Sequence, residues 1–67
     1  MLIKVKVKKS EIKQEVEGFG NNMYLAYVMS DKYMEELVHL LSRKLGVPPT
    51  KIKLVQQNGQ DLVFDLF

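Results

Sequence analysis

Cysteine and tryptophan are missing from this 67-residue chain, which carries one histidine, two prolines and four glycines. Without cysteine there is neither a disulfide framework nor a thiolate zinc site, so packing alone must hold the fold. A single histidine with scattered carboxylates does not give the ligand clustering that zinc or calcium requires, and no metal or other cofactor is expected. Gly18-Phe19-Gly20 lacks a third glycine and opens no helix, so it reads as a turn and not as a phosphate cradle. No apolar run approaches the roughly 20 residues of a membrane span. Met1-Leu2-Ile3-Lys4 alternates where a secretory leader would be continuously apolar. A cytoplasmic protein with no membrane partner is the expectation.

The length allows one domain, residues 1–67. A domain of this size buries only about 60% of its unfolded surface and is marginal in stability. The hydrophobic fraction of 46% is that of a folded protein. The net charge of +2 hides a strong pattern. Lys4, Lys6, Lys8, Lys9 and Lys13 face only Glu11 in the first stretch. Residues 14–42 hold Glu15, Glu17, Asp31, Glu35 and Glu36 against Lys32. Arg43, Lys44, Lys51 and Lys53 then follow with no acid among them. A fold that joined the two basic blocks would carry a basic patch.

Ile3, Val5 and Val7 alternate with Lys4, Lys6 and Lys8, a period of two that describes a strand with one apolar and one cationic face. Lys9–Glu17 is polar and ambiguous, with room for a short extra strand near 12–17. Gly18–Asn22 reads as a turn. Met23–Met29 is rich in β-formers, with Leu25, Tyr27 and Met29 on one face and Tyr24, Ala26 and Val28 on the other. Met34, Leu37, Val38, Leu41 and Leu45 recur at helical spacing. Ser30 or Asp31 can cap that helix, Arg43 and Lys44 suit its last turn, and Gly46 with Pro48 ends it. The helix is expected over 31–45. Lys51–Gln56 and Gln60–Phe67 read as strands joined at Asn58-Gly59, a two-residue hairpin signal. The fold class is therefore α+β in two layers, one helix packed on a four-stranded mixed sheet, in the order β-β-α-β-β with a right-handed crossover.

Along nearly its whole length the chain resembles the YggU-like family of small proteins. The resemblance rests on Ile3-Lys4-Val5-Lys6-Val7-Lys8, Glu15-Val16-x-Gly18, Leu25, Leu37-Val38-x-Leu40-Leu41, Leu45-Gly46-Val47-Pro48 and Ile52-x-Leu54-Val55. It implies a mixed sheet with a covering helix. The family's polar stretches at the helix start and in the last hairpin differ here, at Asp31–Met34 and Gln57–Leu62, so the resemblance implies no site residues. A second resemblance, to the ubiquitin-like fold, lies in Met1-x-Ile3-x-Val5-Lys6 and Gly46-Val47-Pro48-Pro49. It implies a protein-interaction module. Asp65-Leu66-Phe67 in place of a Gly-Gly tail argues against a conjugated modifier.

The sequence offers little for catalysis, and the balance leans away from an enzyme. His39 stands four residues from Glu35 and from Arg43 on the helix, off the apolar stripe, with no nucleophile beside it. The better candidate is the open face of the sheet. With Ile3, Val5 and Val7 toward the helix, Lys4, Lys6 and Lys8 point away, and Lys51 with Lys53 share a face of the fourth strand. Inward Leu25 and Tyr27 would leave Tyr24 and Val28 on the open face. Lys4, Lys6, Lys8, Lys53 and Tyr24 are thus the candidate binding residues, and nucleic acid or a protein the candidate partner. Alternating lysine equally serves to keep an open sheet soluble and to guard it against pairing. Tyr24, Ala26 and Val28, with one side of the last strand, suggest an apolar outer face that a homodimer could bury.

Overall fold

The apolar half of the Leu2–Lys9 alternation sets the plan of the molecule. In a computed structural model describing Met1 to Phe67, this strand, β1, lies at the centre of a sheet. The others are β2 (Glu15–Gly18), β3 (Met23–Val28), β4 (Ile52–Asn58) and β5 (Asp61–Leu66), with one helix, α1 (Met34–Leu45), between β3 and β4. The sheet runs β2-β3-β1-β5-β4. Only the β1–β3 pair is parallel; the other neighbours are antiparallel. The architecture is α+β with a mixed sheet, as expected, but the sheet has five strands where four were expected. The fifth, β2, forms in the ambiguous polar stretch because Val16 is buried against the core while Glu15 and Glu17 stay on the opposite side.

Ile3, Val5 and Val7 are at most 2% exposed and pack with Ala26, Val28, Leu62, Phe64, Leu37 and Leu41 into one core between sheet and helix. The helical stripe is as the spacing predicts, and Gly46 ends α1 at φ 69, a conformation costly for residues with a Cβ. Its N–H and that of Val47 both bond to the Ser42 carbonyl.

The start of the helix departs from expectation. Helical geometry begins at Met34, after Tyr33, and neither Ser30 nor Asp31 caps it. Both side chains have other partners. Lys9 Nζ donates to Asp31 at 2.7 Å, and Ser30 Oγ accepts from the Lys32 N–H at 3.2 Å. Glu36 in the first turn reaches back instead, accepting from the Met29 N–H at 2.8 Å, the Ser30 N–H at 3.2 Å and the Gln14 amide at 2.7 Å. One carboxylate thereby joins the end of β3, the β1–β2 loop and α1.

Two further details differ. The last hairpin turns on Gly59-Gln60, with Asn58 paired to Asp61, one residue later than the Asn-Gly signal. Lys51 sits in a short 3-10 turn, Pro49–Lys51, and so does not share a strand face with Lys53. A bulge at Val55 shifts the β4 register between Leu54 and Gln56. It bends the edge strand, which discourages edge-to-edge pairing.

Candidate functional site

Cross-strand register places every residue of the uncovered sheet face. With β1 aligned parallel to β3, Lys4, Lys6 and Lys8 stand beside Met23, Leu25 and Tyr27. On the other flank, Leu2, Lys4 and Lys6 stand beside Asp65, Val63 and Asp61 of β5. Lys53, Gln56 and Asn58 of β4 continue those rows, and Glu15 and Glu17 of β2 close them on the far side. The face is therefore a central column of lysines, an apolar column on one side and a mixed acidic column on the other.

This register corrects the assignment of Tyr24. Because partners in register share a face, outward lysines on β1 put Met23, Leu25 and Tyr27 outward and Tyr24, Ala26 and Val28 inward. Ala26 and Val28 are fully buried in the core cluster, and Tyr24 packs against it. The three do not form an outer apolar face for a dimer; Tyr24 turns toward the core and still borders the trough that Lys4 and Lys6 line. The aromatic beside the lysines is Tyr27.

Tyr27 is not free. Lys13 Nζ lies 4.0 Å from its ring centroid and 3.0 Å from Glu15 Oε1, with Glu17 at 3.7 Å. Hydrogen bonding to Glu15 is the main cause that holds the Lys13 amine above the usual lysine range. Asp65 is likewise engaged by the N-terminal amine at 3.2 Å. Lys4, Lys6 and Lys8 are exposed and take part in no ion pair. Of the charges on this face, those three are the cations without a carboxylate partner nearest the centre. Lys53 is exposed on the β4 edge, two strands or about 10 Å from β1.

Lys4 and Lys6 line a trough of about 450 Å³ that crosses β3, β1, β5 and β4, with Met23, Val63, Gln56 and Asp61 on its walls. The two basic sequence blocks do not merge in it. Arg43 and Lys44 lie at the end of α1, on the other layer, and only Lys53 of the second block reaches the open face. His39 is exposed on α1 and has no ion-pair partner, and Glu35 and Arg43 form none either. No group of three or more His, Asp and Glu residues is placed to hold a metal ion. No helix is long and apolar enough to cross a membrane.

One residue of this face carries a weaker signal in the sequence. Phe19, read there only as part of a turn, donates its N–H to the Met23 carbonyl at 2.9 Å. It thus extends the β2–β3 ladder by one step and, following the alternation of Glu15 and Glu17, comes to the open side. It is 63% exposed. Three comparisons, with protein-family models, with curated proteins and with solved structures, find no match to this chain.

Proposed function

We infer that this chain is a non-catalytic binding module, YggU-like in outline, whose open sheet face takes an anionic polymer, nucleic acid above all. The observation that carries this reading is the column Lys4, Lys6, Lys8 on the central strand, free of ion pairs, with Lys4 and Lys6 lining the trough. Salt-bridged lysines have already exchanged hydration for a carboxylate, whereas unpaired ones gain by meeting phosphate and releasing its counterions. The resemblance over residues 3–8, 15–18, 25, 37–41, 45–48 and 52–55 supports the YggU-like outline.

The reading makes two linked demands. Replacing Lys4 and Lys6 by Glu abolishes binding of a fluorescent oligonucleotide while leaving the thermal melt unchanged, because both side chains are exposed and neither holds the fold. Three phosphate contacts to a single strand give a slope of about −2 in log affinity against log salt. Salt-independent binding, or full binding by the double Glu variant, would count against it. Leu2, Met23, Leu25 and Val63 on the same face favour self-association as a second reading. A sedimentation mass of one chain at high protein concentration removes that alternative.

A further inference from the structure

The two columns of the open face share one register. Each unpaired lysine of β1 has an apolar neighbour on β3: Met23 beside Lys4, Leu25 beside Lys6 and Tyr27 beside Lys8. Successive rows are two residues apart, or roughly 6.7 Å. A stacked nucleic-acid strand advances only about 3.4 Å per nucleotide. Successive phosphates can therefore meet successive lysines only if the strand is drawn out and its bases are unstacked from one another. Unstacked bases need an apolar bed, and the β3 column supplies it on one flank. On the other flank Asp61, beside Lys6 and without an ion pair, repels phosphate and favours the line of β1, while Asp65 is held by the N-terminal amine. A duplex keeps its bases stacked and paired, so it cannot match this row spacing while laying bases on the apolar column.

The bed has one open aromatic. Lys13 covers Tyr27, but Phe19 stands next to Met23 at the opposite end of the column with its ring exposed. Resting on the proposed nucleic-acid reading, we propose that the face selects extended single-stranded nucleic acid, with phosphates on Lys4, Lys6 and Lys8 and a base stacked on Phe19. Phe19 is the stacking anchor and the lysine column is the backbone track. The strand then has a defined path, from the Phe19–Met23 end of the sheet along β1 toward Lys8.

The test compares a labelled ten-nucleotide oligothymidine, a hairpin duplex and inorganic polyphosphate, with wild-type protein, Phe19→Ala and Lys6→Gln. Wild type binds the single strand more tightly than the duplex. Phe19→Ala weakens single-strand binding by about five- to 150-fold, the loss of one base–aromatic stack, and leaves polyphosphate binding unchanged. Lys6→Gln weakens both. Equal affinity for single strand and duplex, or a Phe19→Ala variant that binds the single strand as wild type does or loses both polymers alike, overturns the anchor and leaves the broader reading standing. Wild type that binds none of the three polymers overturns both.

Discussion

The ring of Tyr24 lies over Gly18, so close that a Cβ on residue 18 would stand 3.3 Å from Tyr24 Cε1. The pair sits directly across the β2–β3 ladder on the core side. A side chain at 18 requires the ring to give by a few tenths of an ångström, and one larger than a methyl presses it harder against the core. Gly18→Val is expected to destabilise the fold by about 1–3 kcal/mol. The cost should shrink in a Tyr24→Ala background, where nothing is left to displace, and a double-mutant cycle by denaturant unfolding measures that coupling. Additive effects of the two changes would show that the ring does not depend on the glycine.

Glu36 ties three segments together and makes the fold sensitive to acid. Burial pushes its carboxyl up, but the N–H groups of Met29 and Ser30 and the Gln14 amide outweigh that and hold it below the usual glutamate value. A lowered folded-state pKa means that the charged form contributes stability above the unfolded value, about 4.3, and that this is lost as pH falls through the folded value. Glu36→Ala hands the exposed Met29 and Ser30 N–H groups to water and is expected to cost about 0.5–1.5 kcal/mol. In a domain of this size each kcal/mol lowers Tm by about 4–8 °C. The pH dependence of Tm below pH 5 should be flatter in the variant. An unchanged acid limb would mean that Glu36 is not the group responsible.

Phe64 and Ile3 are fully buried partners across the β1–β5 ladder. Truncating Phe64 to Ala removes about 3–5 kcal/mol. A chain of 67 residues has only about 3–10 kcal/mol in total. Calorimetry of Phe64→Ala should show a greatly lowered or missing transition, whereas Phe19→Ala, at an exposed position, should melt as wild type does.

Lysines on one face are not equivalent. Lys13 is already held by Glu15 and Glu17, while Lys6 has no ion pair. Lys6→Gln should weaken oligonucleotide binding and reduce the salt slope by about 0.7. Lys13→Gln should change affinity less and leave the thermal melt nearly unchanged, because exposed ion pairs add little stability. Equal losses of affinity in the two variants would make the interaction one of overall charge, not of the column.

Much of the fold was legible because its signals are local. The Lys-Val alternation gave β1 and its faces, and the 3.6-residue stripe ending in Gly46 gave the helix. Sequence could not settle the phase of β3, because Met23–Val28 is apolar on both faces and a period of two has no sign of its own. The parallel register with β1, a contact between distant residues, decided it and turned Tyr24 inward. The helix start failed for a related reason. Ser30 and Asp31 have the chemistry of caps, but Lys9, from another strand, claims the carboxylate. Lys4, Lys6 and Lys8 lie on the open face as their alternation predicts, whereas Tyr24 turns toward the core and Tyr27 stands in the lysine rows. Phe19 carried only the weak signal of a large apolar residue inside a Gly-Asn turn.

The central claim is that Lys4, Lys6 and Lys8 form a binding column. An amide chemical-shift map with a short single-stranded oligonucleotide, recorded at low and at moderate salt, tests it most directly. The account predicts salt-sensitive shifts along Leu2–Lys9, at Met23, Leu25 and Tyr27 beside it, and at Phe19. No shifts, or shifts spread evenly over Lys32, Lys44, Lys51 and the other lysines, would contradict it and leave the column as solubilising charge.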